Sequence, residues 1–167
     1  MEPIGPPEIH YLSAATGWME LGNLAEAKAE LKSLGPAFAS HPGVLEVSWA
    51  IYAADNDWSQ ALAIAEQLVQ NAGNHAVGWL HRAYAMRRAP EGGLQAAWDA
   101  LVPAVDLFPT EATIPYNLSC YACQMGQLDE ARRWLRRAAA TGDRNKIKTM
   151  AASDFDLEPL WGEIKSL

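Results

Sequence analysis

Cys120 and Cys123 form a C-x-x-C pair, a spacing that serves both thiol redox chemistry and metal ligation. Redox pairs of this type sit at a helix N-terminus, where the dipole lowers the thiol pKa. This pair falls in mid-helix, in a helix that begins near Ile114. A zinc site would need two further ligands, and His10, His41, His75 and His81 show no paired spacing. Cysteine also behaves as a small apolar residue, so the pair reads as packing. Arg132, Arg133, Arg136 and Arg137 would suit phosphate binding, but Asp129 stands four residues before Arg133, and a solvated helix face is the simpler reading. No nucleophile–base grouping and no Gly-rich phosphate loop is present, so no catalytic residue, cofactor or metal ion is expected and the chain does not read as an enzyme.

The elements that carry these residues repeat along the chain. Residues 116–143, YNLSCYACQMGQLDEARRWLRRAAATGD, read as two amphipathic helices joined by a turn at Gly126. Leu128, Ala131, Leu135 and Ala138 make one apolar stripe at helical spacing. Asp129 and Glu130 at the start and Arg136 and Arg137 at the end follow the helix dipole, and Gly142 is expected to end the helix with a left-handed backbone. Ala27, Ala61, Ala97 and Ala131 are separated by 34, 36 and 34 residues, and the turn residues Gly22, Asn56, Gly92 and Gly126 keep the same spacings. The first-helix column Ala15, Trp49, Ala83 and Ser119 is spaced by 34, 34 and 36. Two extra residues between the helices of the third pair, in RRAPEGG (87–93), reconcile both series.

A helix–turn–helix of this period, with small residues where helices cross, resembles the tetratricopeptide repeat. The resemblance is carried by YNLSCYACQMGQLDEARRWLRRA in the fourth unit and by WMELGNLAEAKAEL, WAIYAADNDWSQALAIAEQLV and WLHRAYAMRR…LQAAWDALVPAVDLFP in the others. Pro109 matches the proline that closes a unit. Asn56 replaces the turn Gly, and Trp49 stands where a small residue is usual, which predicts local repacking. The resemblance implies an all-α, right-handed α-solenoid of four helical hairpins plus a C-terminal capping helix: an N-terminal extension at 1–7, repeats at about 8–41, 42–75, 76–110 and 111–143, and a capping segment at 144–167. Pro6 and Pro7 suit the start of the first helix, Thr113 is expected to cap the fourth unit with Pro115 in its first turn, and 145–151 reads as a short helix. Leu157, Leu160, Trp161 and Ile164 predict a final helix within 156–167 that covers the last pair.

In such arrays the first helices line a concave groove. Register then places Leu12, Thr16 and Met19, Glu46, Val47, Ala50 and Ala53, and Cys120 on it, together with the candidate partner-binding residues His81, Tyr84, Arg87, Arg88, Tyr116, Asn117 and Gln124. A Tyr beside an Arg or Asn can capture an extended backbone or a carboxylate, so Tyr84, Arg88, Tyr116 and Asn117 are the expected anchors. Arrays that hold chaperone tails spread Lys, Asn and Arg over three first helices. Only Asn117 fits that pattern, so a chaperone-tail partner is disfavoured. Tyr84 could equally serve inter-helix packing.

The composition agrees with a folding, interacting chain. Half of its 167 residues are apolar, and seven Trp against three Phe suit recurring large anchors. Two cysteines cannot build a disulfide framework, and MEPIGPPEIHYL has no signal-peptide pattern, so a cytoplasmic location is expected. The net charge of −7 disfavours nucleic acid, and no apolar run suits a membrane span. Residues 1–80 carry nine acidic side chains against two Lys, whereas 81–148 carry ten basic against seven acidic. The expected function is non-catalytic binding of another protein, through a peptide segment or a partner helix in the groove. The alternative is a self-associating scaffold that uses its convex face or ends.

Overall fold

The structure is a computed structural model that describes residues 4–164; the ends of the expected extension (1–3) and capping segment (165–167) lie outside the described residues. Among the described residues every regular element is helical. The chain divides into two compact units, residues 1–90 and 91–167.

The first unit contains α1 (Glu8–Glu20), α2 (Leu24–Ser33), α3 (Pro42–Ala54), α4 (Trp58–Ala72) and α5 (Ala76–Arg88). The helices joined by three-residue links, α1 with α2, α3 with α4 and α4 with α5, pack as antiparallel neighbours, while residues 34–41, with a 3₁₀ turn at Pro36–Phe38, connect α2 to α3. Gly22 (φ 77°) and Asn56 (φ 57°) take the left-handed backbone that ends α1 and α3. The N–H groups that follow fold back: Asn23 donates to the Trp18 carbonyl at 2.8 Å and Asp57 to that of Tyr52 at 2.9 Å. Each reversal closes orphan carbonyls at a helix end. Asn23 and Asp57 then cap the next helices, their side chains accepting from the N–H groups of Glu26 and Gln60. One three-residue turn thus stops one helix and starts another.

Ala15, Ala27 and Ile51 form one core cluster, flanked by Met19, Leu31 and Val47. Leu45, Ile64 and Leu68 form another, flanked by Trp49 and Tyr52. Ala15 and Ala27, each fully inaccessible, are small enough to let α1 and α2 approach closely. Pro42 begins α3 at a position where its missing N–H costs nothing, and His41 Nδ1 accepts from the Gly43 N–H.

The second unit contains α6 (Leu94–Leu101), α7 (Ala104–Leu107), α8 (Thr113–Gln124), α9 (Leu128–Thr141), α10 (Arg144–Ala151), a 3₁₀ turn Phe155–Leu160 and α11 (Trp161–Ile164). The link at 89–93 has five residues against three at 21–23, 55–57 and 125–127, the two-residue excess expected from the column spacings. The positive φ there belongs to Gly93 (125°), not Gly92. The second helix of the third pair is broken in two. Pro103 has no N–H to bond back to the preceding turn, so α6 stops at Leu101 and α7 restarts at Ala104.

Three other local expectations are corrected. Thr113 is the first residue of α8 rather than its cap; the Glu111 carboxylate accepts from the Thr113 N–H instead. α9 runs on to Thr141, so Arg136 and Arg137 are not in its last turn. Gly142 is extended (φ −107°, ψ −164°), and its value lies in space: a Cβ there would stand 2.7 Å from the Ala112 Cβ. The core holds Leu101, Ile114, Leu118, Tyr121 and Leu135, closed over by Leu157, Leu160 and Ile164 from the C-terminal segment. That segment is a 3₁₀ turn and one short helix, because Pro159 within it interrupts the helical ladder.

Candidate functional site

The expected anchors fall into both units, and each set is described on its own. In the first unit the site is built on α5, AVGWLHRAYAMRR, which contains three arginines and no acidic residue. Trp49, the large residue in a small-residue column, is accommodated by stacking on His81, with ring centroids 3.7 Å apart and planes within 6°. Its buried indole N–H has no hydrogen-bond partner among the described residues. Burial pushes the His81 pKa down to about 4, so the imidazole is neutral near pH 7.

Trp49 also meets Tyr84 edge-on at 6.0 Å, and Trp58 meets Tyr84 at 5.9 Å. Tyr84 nevertheless remains 41% exposed. Above it lies the Arg88 guanidinium, 3.5 Å from the Tyr84 ring centroid and 5.3 Å from that of Trp58. Arg88 Nη1 donates to the Tyr84 carbonyl at 3.1 Å, and no described carboxylate pairs with it. The cation is thus positioned by aromatic faces while most of its donors stay unassigned. Arg87 is part-buried and engaged elsewhere. Arg82 lies over the Trp79 ring at 4.6 Å.

In the second unit the corresponding residues are occupied by the chain itself. Tyr116 is buried, and its O–H donates to Asp154 Oδ2 at 2.9 Å. Burial, with that bond second, raises the phenol pKa, so it remains a proton donor. Cys120 Sγ reaches the same carboxylate oxygen at 3.6 Å, and Gln124 Nε2 donates to the Asp156 carbonyl at 3.0 Å. The Trp161 indole N–H donates to the Asp154 carbonyl at 3.1 Å. Arg132 grips Glu163 with two bonds, at 2.8 and 2.7 Å, and this holds the Glu163 carboxyl below the usual range. The C-terminal segment is therefore strapped across the Tyr116–Cys120–Gln124 stripe of α8. Asn117 donates to the Thr113 carbonyl at 3.1 Å, within its own helix.

Neither cysteine is in a disulfide and both are buried, and burial raises the Cys123 thiol pKa, away from nucleophilic chemistry. Cys120 Sγ and carboxylate oxygens of Asp154 and Asp156 lie within 4.8 Å of one another. This set mixes one soft with two hard donors, and Asp154 already accepts from Tyr116 and from the Asp156 N–H, so hydrogen bonding accounts for it. In the Arg run, Asp129 pairs with Arg132 rather than Arg133, and Arg133 pairs with Glu130. Two of the four guanidinium groups are thereby neutralised. No described helix is long and apolar enough to cross a membrane.

Two contributors were absent from the expected site. Trp58 was readable only as the first residue of a second helix, with nothing in its spacing to aim it at Tyr84. The polar side of the C-terminal segment, Asp154 and Asp156 against the i, i+4, i+8 stripe of α8, adds to the apolar cap expected from Leu157, Leu160, Trp161 and Ile164, and that stripe is its signal in the sequence.

No family model and no curated protein matches the sequence. Solved structures do. A structure of MamA is 19% identical, covering 98% of this chain and 88% of that one with a TM-score of 0.72. The MamA RS-1 ArsTM double mutant is 16% identical over 89% of this chain and 79% of that one, with a TM-score of 0.68. A chain of the APC/C hetero-tetramer Cut9–Hcn1 is 18% identical, with a TM-score of 0.68; the match covers 94% of this chain and 30% of that one. With its helix–turn–helix pairs and buried alanine columns, the chain has the all-α fold of the tetratricopeptide-repeat proteins.

Proposed function

We propose that the chain is a non-catalytic protein–protein interaction module whose contact surface is the α5 face bearing Tyr84 and Arg88, with Trp58 beside them. The observation that carries this reading is the Arg88 guanidinium laid over a half-exposed Tyr84, with no carboxylate partner among the described residues. A stacked aromatic–arginine pair combines apolar area with directed donors and loses little side-chain entropy on binding, which is why such residues dominate interface energetics. Of the candidate partner-binding residues, His81 acts behind the surface by holding Trp49, whereas Tyr116, one of the expected anchors, and Gln124 hold the chain's own C-terminal segment. One neighbour in fold, Cut9, was solved in a hetero-tetramer with Hcn1, which is consistent with binding work by this fold.

The test is affinity co-purification from the native cells, comparing wild type with a Tyr84→Ala/Arg88→Ala variant of unchanged helicity. One partner retained by wild type and lost by the variant supports the α5 surface; equal recovery by both rejects it.

A second reading, a self-associating scaffold, draws on the apolar exposure of α1. Tyr11 and Trp18 are exposed on it, and Leu21 just beyond is 78% accessible. Association that is abolished by Trp18→Glu/Leu21→Glu and left intact by the Tyr84/Arg88 variant would favour it.

A further inference from the structure

Resting on the α5 surface just described, we propose that its occupant is an acidic segment of another protein in which an aromatic or apolar residue lies between carboxylates. The chain itself shows how the acidic part of such a segment is held, while Phe155, between the two carboxylates, is left 77% exposed beside Trp161 rather than buried on α8. Tyr84 and Arg88 stand one repeat, 36 residues, before Cys120 and Gln124. On α8 those two positions contact the segment that contains Asp154, Phe155 and Asp156: Cys120 meets the Asp154 carboxylate, and Gln124 donates to the Asp156 carbonyl. The same register on α5 therefore presents a side-chain donor one turn beyond a contact surface, with two changes of chemistry.

Arg replaces Gln, so the donor is charged and forked and suits a carboxylate better than a peptide carbonyl. Tyr replaces Cys, so the neighbouring contact becomes an aromatic face, extended by Trp58 at 5.9 Å. Charge points the same way. α5 has no acidic residue of its own, and the Arg88 guanidinium has no carboxylate partner among the described residues. A carboxylate placed on Arg88 would find it oriented by Tyr84 and by the bond to the Tyr84 carbonyl. The chain's own acidic segment is committed to α8 through Leu157 and Leu160, both buried, so the occupant of α5 comes from elsewhere.

The experiment uses the full chain and a fluorescent peptide with the sequence of residues 153–160, SDFDLEPL, as an acidic–aromatic probe. Anisotropy is expected to report saturable binding that weakens with added salt and is lost for SNFNLEPL. Arg88→Met and Tyr84→Ala should each weaken it at least tenfold, with the circular dichroism spectrum unchanged. Tyr116→Phe, which loosens only the strap, should leave the affinity as it was.

Absence of binding, or equal binding of the Asn peptide, overturns the acidic class. Affinity that responds to Tyr116→Phe but not to Arg88→Met also overturns it, since the peptide would then be exchanging with the strap on α8. Failure here is distinct from failure of the surface itself. A native partner lost in the Tyr84→Ala/Arg88→Ala co-purification would leave the α5 surface standing while the acidic occupant fell.

Discussion

Acid should weaken the α5 region through one residue, His81. Stacked on Trp49 and largely removed from water, its imidazole is held neutral, with a folded pKa of about 4 against 6.5 for the free side chain. A histidine whose pKa is lowered by folding contributes stability that is present above the unfolded value and lost as pH falls toward the folded one. The window is therefore about pH 6.5 down to 4. At about 1.36 kcal/mol per unit, the whole shift is worth about 3 kcal/mol, of which about 2 falls between pH 7 and pH 5. Since His81 keeps some contact with solvent, about half of that, ~1 kcal/mol, is the figure to expect. His81→Phe keeps a flat ring on Trp49 and removes the titration. Urea unfolding followed by tryptophan fluorescence at pH 7, 6 and 5 gives the comparison. Wild type should lose about 1 kcal/mol more than the variant between pH 7 and 5. Parallel losses in both proteins would refute the claim that burial on Trp49 keeps His81 neutral.

Other residues offer separate checks. Tyr116→Phe should cost about 1–2 kcal/mol, because the hydrogen bond it removes ends on a carboxylate, and limited proteolysis should then cut the C-terminal segment faster. Unchanged stability and cleavage would mean that the phenol does not hold the strap. Gly142→Ala should cost about 1–3 kcal/mol by overpacking against Ala112, while its extended backbone predicts no strain; a thermal melt within error of wild type would contradict this. At Asn56, Ala should cost about 1 kcal/mol and Gly close to nothing, since only the left-handed backbone is at issue. Equal effects of the two substitutions would point to a side-chain role.

What the sequence disclosed follows from how local the physics is. The alanine columns and the three-residue turns were legible because burial at a helix crossing and a left-handed turn each demand particular residue types at fixed spacing. The two extra residues at 89–93 were legible for the same reason. The helix break at Pro103 was missed because the apolar stripe runs on through Leu101, Ala104 and Val105, and periodicity is blind to a lost N–H. Gly142 was given the wrong reason: its backbone is ordinary, and the need for it comes from Ala112, thirty residues away, which no local pattern reveals. The site was the harder part. Register alone put Tyr84 and Arg88 on one helical face, but Trp58 reaches them only through the packing of α4 on α5. Register put Tyr116 and Gln124 on the corresponding face of α8 as well. Their engagement by Asp154 and Asp156 is a contact over more than thirty residues, decided by where the C-terminal segment turns back.

The central claim is that the α5 face meets the partner, and site-specific photo-crosslinking in the native cells tests it most directly. A benzoylphenylalanine replaces Tyr84 in one protein and Trp18 in another. The account predicts a single heavier adduct from position 84 that disappears when Arg88→Ala is added, and none from position 18. An adduct formed from position 18 with none from position 84 would contradict it, and would move the contact to α1.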